Sequence, residues 1–147
     1  MPRTKASVQY GHLVGYARTS TADQKAGLEA QLRDLKVASC VKVFHEELSS
    51  VATKRPQLEA ALDYVREGDT LIVTKPDRLA RSTLDLLQIA EGLDGKGVTL
   101  RILSLDLNTS TPTGKLMLTV LGGIATFERD LMLERQREGI AKADGQV

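Results

Sequence analysis

Residues 13–24 read L-V-G-Y-A-R-T-S-T-A-D-Q, and the division of this stretch decides the fold. Residues 13–17 are apolar or small and read as a short strand. Thr21 and Gln24 then stand at capping-box spacing, threonine as N-cap and glutamine at N3. Leu28, Leu32 and Leu35 recur at i, i+4 and i+7, the mark of one buried helical face. A strand passing directly into a capped helix is the first half of a β-α-β unit. Arg18 and Ser20 lie at the junction, a hydroxyl beside a cation with no histidine nearby.

The alternation continues downstream. Residues 41–45 (V-K-V-F-H) read as a second strand, followed by the polar run E-E-L-S-S-V-A-T-K-R. Pro56 suits the first turn of a helix, with Leu58, Leu62 and Val65 as its stripe and Gly68 as the C′ residue. Residues 70–74 (T-L-I-V-T) form the third and most apolar strand. The loop K-P-D-R-L-A-R leads into a helix striped by Leu86, Ala90 and Leu93. Residues 98–105 read as a fourth strand, and after a polar loop a last helix runs from about Gly114 to about Ala143. Such units predict an α/β fold with an about four-stranded, mainly parallel sheet flanked by helices. The expected division is an N-terminal extension (1–11), a catalytic α/β domain (12–113) and a long helix (114–147).

Composition narrows the class. The chain has 147 residues, enough for one domain with a substantial core. Only 3% are aromatic, so that core must be aliphatic. No apolar run approaches the ~18 residues of a membrane span, and the N-terminus has no apolar signal core. The single cysteine, Cys40, excludes an internal disulfide and fits a reducing cytoplasm; its place before the second strand suits a structural thiol. No Cys/His ligand spacing is present, so no metal is expected. His45, at a strand end, is expected to be a partly buried structural residue. The net charge of +1 does not announce a nucleic-acid binder, but clustering matters more than the sum.

The last helix is unusual. At 1.5 Å per residue, ~30 residues span ~45 Å, longer than a small domain is wide. Its first half, L-M-L-T-V-L-G-G-I-A-T-F, is apolar nearly all round, and its second half is charged. An all-apolar helix must be covered. A second subunit covers it more simply than one small domain can, and dimerisation outweighs a core helix with a solvent tail.

In open parallel sheets, ligands bind at the carboxyl ends of the strands. By that rule one edge gathers Arg18 and Ser20, then Ser49, Ser50, Lys54 and Arg55, then Lys75, Asp77, Arg78 and Arg81, then Asp106 and Asn108. Any one arginine alone is better read as a surface residue in a salt bridge. Four of them around one hydroxyl need an anion, and phosphate suits their planar, bidentate donors. The chemistry that follows is attack of a serine oxygen on phosphorus, with guanidiniums holding the charge that develops.

These same residues resemble the serine recombinases, the resolvase/invertase family of site-specific DNA recombinases. G-Y-A-R-T-S-T-A-D-Q is similar to that family's nucleophile motif, K-P-D-R-L-A-R-S to its second signature, and K-R-P-Q-L to its third. F-E-R-D-L-M-L-E-R-Q-R-E-G resembles the start of its long dimer helix. The likeness covers about residues 12–143, with Thr19 in place of the usual valine and Ala80 in place of the commoner glycine. It implies that Ser20 forms a 5′-phosphoserine link to DNA and that Arg18, Arg55, Arg78 and Arg81 bind the scissile phosphate. Gln24 and Gln31 would support them, Asp77 would orient arginine or assist proton transfer, and Asp69 would be structural. Glu128 and Arg129 match polar positions on the long helix, and Arg129, Lys115, Arg135 and Lys142 are its candidate DNA contacts.

The resemblance further implies no ATP, metal or other cofactor, because the phosphoserine bond keeps the energy of the broken phosphodiester. It implies double-stranded DNA as partner, with a homodimer at each crossover site and a tetramer during strand exchange. The family's helix-turn-helix domain has no counterpart by Val147, so weak site binding is expected of this chain alone. Two rivals are a recombinase-like dimer that only binds phosphate and a small phosphatase or nucleotide-binding protein. The complete serine–arginine set argues against the first, and the absence of a Gly-rich phosphate loop against the second. T-P-T-G-K-L (111–116) resembles the end of such a loop but has Thr109 and Leu116 where it needs glycine and Ser/Thr.

Overall fold

A computed structural model of the chain describes residues 11–20, 25–49 and 51–145; at 25–26 and 140–145 it describes the backbone alone. The Thr21–Gln24 capping pair, and with it the candidate Gln24, lies outside the described residues, as does Ser50.

Strand β1 (Leu13–Ser20) enters helix α1 (Lys25–Val37) and returns as β2 (Lys42–Leu48). Helix α2 (Pro56–Tyr64), β3 (Thr70–Val73), α3 (Thr83–Gly95) and β4 (Thr99–Ile102) follow. A two-residue β5 (Leu107–Asn108) precedes α4 (Pro112–Gly145). The sheet order is β2-β1-β3-β4-β5, parallel throughout except for the antiparallel β4–β5 pair.

Alternate side chains sort onto two faces of this sheet. Ala17 and Ile72 face one way, against Leu35 with Leu28 and Leu32 of α1. Val14, Tyr16, Leu71, Val73, Leu100 and Ile102 face the other way, into the larger core. That core is closed by Leu58 and Ala61 of α2, Leu86, Ala90 and Leu93 of α3, and Met117, Leu118 and Leu121 of α4. The chain leaves β1 to one side through α1 and returns to β3 on its other side through α2. The sheet order therefore reverses between β1 and β3, and a crevice opens there at the carboxyl ends of both strands.

Four expectations are corrected. The helix of residues 56–64 ends before Gly68: Val65 is the C-cap, in extended conformation, though fully buried as its place in the stripe predicts. Gly68 instead takes a positive φ of 93° in the turn before β3. The fourth strand breaks at Ile102, and a single 3-10 turn (Leu103–Leu105) with Asp106 at φ 49° sends the chain back as β5. The apolar alternation slips by one residue at this point, where Ile102 and Leu103 are adjacent, and aspartate tolerates the left-handed region without glycine's help. His45 is exposed on the edge strand β2 and is not a partly buried residue.

Helix α4 starts at Pro112, two residues early, because Thr111 is a better cap than any later residue. Its hydroxyl accepts the Gly114 N–H at 3.0 Å, and proline at N1 gives up no needed donor. A Cβ on Gly114 would stand 1.8 Å from the Asn108 carbonyl oxygen, so only glycine lets the helix start so close to β5.

Candidate active site

Beyond Gly15, β1 is no longer paired with β3, and side chains take over its backbone bonding. Gln31, on α1 and buried, accepts the Arg18 N–H at 3.1 Å and donates to the Arg18 carbonyl at 2.9 Å. Arg78 donates to the same carbonyl at 3.3 Å. The guanidinium of Arg18 donates in turn to the carbonyls of Asp77 and Ala80. The end of β1 and the loop after β3 are thus stitched together by the arginines themselves.

That loop is a short device with a clear local logic. Pro76–Arg78 form one 3-10 turn, and the Leu79 and Ala80 N–H groups both donate to the Pro76 carbonyl. Leu79 is fully buried and Ala80 nearly so. With the two apolar residues turned inward, Arg78 and Arg81 on either side are left at the surface of the crevice. A cleft of about 410 Å³ results, lined by Arg18, Thr19, Ser20, Leu48, Ser49, Asp77, Arg78, Ala80 and Arg81.

Arg55 arrives from the other direction, at the N-cap of α2. It does not line the cleft. Its terminal nitrogens reach the two carboxylate oxygens of Asp85 at 2.7 and 3.2 Å. It nevertheless belongs to the same electrostatic cluster. Burial, and then the charges of Arg55, Arg81 and Arg78, depress the pKa of Arg18, with only Tyr16 acting the other way. A group of cations that repel one another in a partly dry crevice is a receptor for a multivalent anion.

Beneath the cluster, Tyr16 of the nucleophile motif pairs with a buried acid, Glu46, that lies in none of the motifs. The Tyr16 hydroxyl donates to Glu46 Oε2 at 2.5 Å. The same carboxylate accepts the Gln57 and Leu58 N–H groups at 3.0 and 3.2 Å, capping the start of α2. Burial first, then the hydrogen bond and charge of Glu46, push the Tyr16 phenol far above the tyrosine range, while Arg18 and Arg55 pull weakly the other way. Tyr16 is therefore a neutral donor. Pro56 followed by an unsatisfied helix start was the available signal for a carboxylate here, but which acid would supply it depends on the β1–β2 register.

The remaining candidates are scattered. Ser49 joins the cleft, whereas Lys54 and Lys75 are exposed and outside it. Asp106 and Asn108 do not line it; Asn108 Oδ1 instead accepts from the Ser110 N–H and hydroxyl. Asp69 is buried and accepts the His12 and Arg66 N–H groups at 2.8 and 2.9 Å, a structural part. Cys40 packs against the small cluster of Ala17, Leu35 and Ile72, away from the cleft, and burial pushes its thiol up to about 11. On α4, Lys115 lines a separate cavity between α3 and α4. Glu128 and Arg129 border a groove with Ser82, Thr83 and Leu84 at the start of α3. Arg135 is exposed, and the side chain of Lys142 lies outside the described residues. No group of three or more potential metal ligands occurs among the described residues, and none of their helices is long and apolar enough to cross a membrane.

Comparison with known proteins agrees with the geometry. Residues 13–146 match the family described as Resolvase, N terminal domain. The chain is 46% identical over 136 residues to the resolvase of transposon Tn1721 from Escherichia coli, covering 90% of this chain and 70% of that protein. It is 40% identical over 131 residues to the serine recombinase Gin of Escherichia phage Mu, covering 89% and 67%. Among solved structures, a resolvase-family site-specific recombinase from Streptococcus pneumoniae superposes with a TM-score of 0.74 at 25% identity, over 88% of this chain and 95% of that one.

Proposed function

The chain belongs to the resolvase family of serine recombinases, enzymes that cut and rejoin DNA at specific sites, and from that premise we propose that Ser20 is the nucleophile. The observation that carries this reading is one cleft, at the switch point of the sheet, lined by Ser20 together with Arg18, Arg78 and Arg81. Ser20 Oγ attacks the scissile phosphorus as the bond to the 3′ oxygen breaks. One side is left with a free 3′ hydroxyl and the other with its 5′ phosphate on the serine. Attack by the 3′ hydroxyl of an exchanged strand reverses the step and reseals the duplex.

The arginines act by position and charge. They hold the non-bridging oxygens in line for attack and offset the charge that grows on them in the transition state. The cluster is mutually repelling in the free protein, so the phosphate relieves an existing electrostatic cost. Arg55 completes the set from α2, and Gln24 stands with it as a supporting polar group. Asp77 lines the cleft beside Arg78 and is the group assigned to orient arginine or move a proton.

The long helix carries the partners. Leu116, Val120, Ile124 and Phe127 are large apolar residues left exposed on α4. At i, i+4, i+8 and i+11 they form one stripe, the surface on which two copies pair; two such dimers make the tetramer of strand exchange. Arg129, Lys115, Arg135 and Lys142 are assigned to the DNA backbone, and the division at 113/114 separates chemistry from these contacts. The protein works on DNA in the cytoplasm.

The decisive experiment is covalent trapping. A nicked duplex carrying the crossover site is incubated with the protein, and the adduct is mapped by mass spectrometry. A 5′-phosphoserine at Ser20, absent from Ser20→Ala protein that still binds the duplex, is expected. An adduct of undiminished yield in Ser20→Ala would sink the assignment.

A further inference from the structure

Asp85 stands where two sources of arginine meet. One source is the loop after β3, which ends in Arg81; the other is the segment after β2, which ends in Arg55. Asp85 Oδ2 accepts the Arg81 N–H at 2.9 Å, while its two oxygens take the Arg55 guanidinium at 2.7 and 3.2 Å. Its own N–H is held by the Ser82 side chain at 3.1 Å, fixing it in the first turn of α3. Both ion-pair side chains are about four-fifths buried, with relative exposures of 21% and 19%. Nothing in the nucleophile motif or its companion signatures points to this aspartate.

We propose that Asp85 is a positioning residue for the strand-cutting step, registering Arg55 to the loop of Arg78 and Arg81 before DNA arrives. The inference rests on the reading of Arg55 as a phosphate ligand. Without a tether, Arg55 would sit at the end of an irregular segment (51–55), on an N-cap with no side-chain cap of its own. A carboxylate gripping both terminal nitrogens fixes the plane of the guanidinium as well as its place. That grip uses only part of the five N–H donors of arginine, so a phosphate oxygen can be taken up at the same time. The charge matters too. Asp85 lies beside a cluster whose cations repel one another, and it offsets one of them while the cleft is empty. Burial tends to raise the Asp85 pKa, but the hydrogen bonds and charges of Arg55 and Arg81 outweigh it and hold the carboxyl low. Arg55 is correspondingly raised, chiefly by its bond to Asp85. The pair is therefore ionised at neutral pH.

A double-mutant cycle on the trapping reaction tests this. Asp85→Asn keeps the shape and one acceptor for Arg81 while removing the charge. At saturating nicked duplex, adduct formation is expected to slow about 10- to 100-fold. Affinity for the duplex should change less than about threefold, placing the loss in the chemical step. In an Arg55→Gln background the same substitution should cost nothing further. Equal losses in both backgrounds would assign Asp85 to helix capping alone, and an unchanged or faster reaction would make it a spectator or a restraint; either overturns the proposal. A readout independent of cleavage is guanidinium NMR. The Arg55 Nε–H is expected to be resolved and slow-rotating in the native protein and averaged in Asp85→Asn. A freely rotating Arg55 in the native protein overturns the proposal even if no adduct forms. Failure of native protein to label Ser20, with Arg55 held, instead counts against the nucleophile assignment.

Discussion

At the scale of single residues, the site depends on a group that the motifs do not contain. Glu46, bonded to Tyr16 of the nucleophile motif, exemplifies this. One buried carboxylate satisfies a phenol and two helix-start N–H groups, so it ties β1, β2 and α2 together just where Arg55 emerges. Tyr16→Phe removes one of its three donors without creating a cavity. The expected loss is about 1–2 kcal/mol, or a fall in Tm of about 3–6 °C for a chain of this length. Glu46→Gln should cost more, because an amide cannot accept from three donors at once and turns its own N–H groups toward them. Thermal and urea melts check both. Equal stability of native and Tyr16→Phe protein would remove the network from the account. In the sequence, Tyr16 is one apolar residue of a strand and Glu46 one of two consecutive acids. Only the pairing of Arg18 with Glu46 across β1 and β2, which turns Tyr16 and the acid to a common buried space, distinguishes it from Glu47.

At the scale of elements, the loop Lys75–Arg81 behaves as a unit. Its anchor is Leu79, fully buried in the larger core, and its two arginines are presented because their neighbours are pulled inward. Leu79→Ala leaves a cavity at the root of the loop. It is expected to cost about 2–4 kcal/mol in a denaturant titration. It should also slow Ser20 adduct formation under conditions where the protein is still folded. Loss of stability with no change in adduct rate would show that the loop holds Arg78 and Arg81 without its anchor. Much of this level was legible beforehand. The helix stripes of Leu28–Leu35, Leu58–Leu62 and Leu86–Leu93 all turn to the core as their spacing predicts, Leu28, Leu32 and Leu62 being partly buried. The misses fall where one signal has two outcomes. The adjacent apolar pair Ile102–Leu103 fits a buried strand as well as the break the chain makes there, and Gly68 is a turn glycine rather than a helix terminator.

At the scale of the whole molecule, the first half of the long helix divides its labour between two faces. Met117, Leu118 and Leu121 turn into the core of their own domain. Val120 and Ile124, on the far side, are 53% and 43% exposed, so charge can be placed there without disturbing the fold. If two copies pair along α4 as proposed, Val120→Glu with Ile124→Glu should lower the mass seen by light scattering from that of a dimer to that of a monomer, with the far-UV circular dichroism of the folded chain retained. A mass unaffected by both charges would move the interface elsewhere. What the sequence determined by itself is everything that depends on period and order. The βα alternation, the aliphatic core, the length of α4 and the gathering of cations after the strands all follow from local spacing, because burial of a helix or strand face is a local pattern. What only the tertiary structure decided is which of those cations share a cleft. Arg18, Arg78 and Arg81 line it with Ser20, while Arg55 is held by Asp85, thirty residues further along, and tied through it to the loop of Arg81. Hydrogen bonds and ion pairs form between side chains that the sheet register and helix docking bring together, and neither leaves a trace in the spacing along the chain.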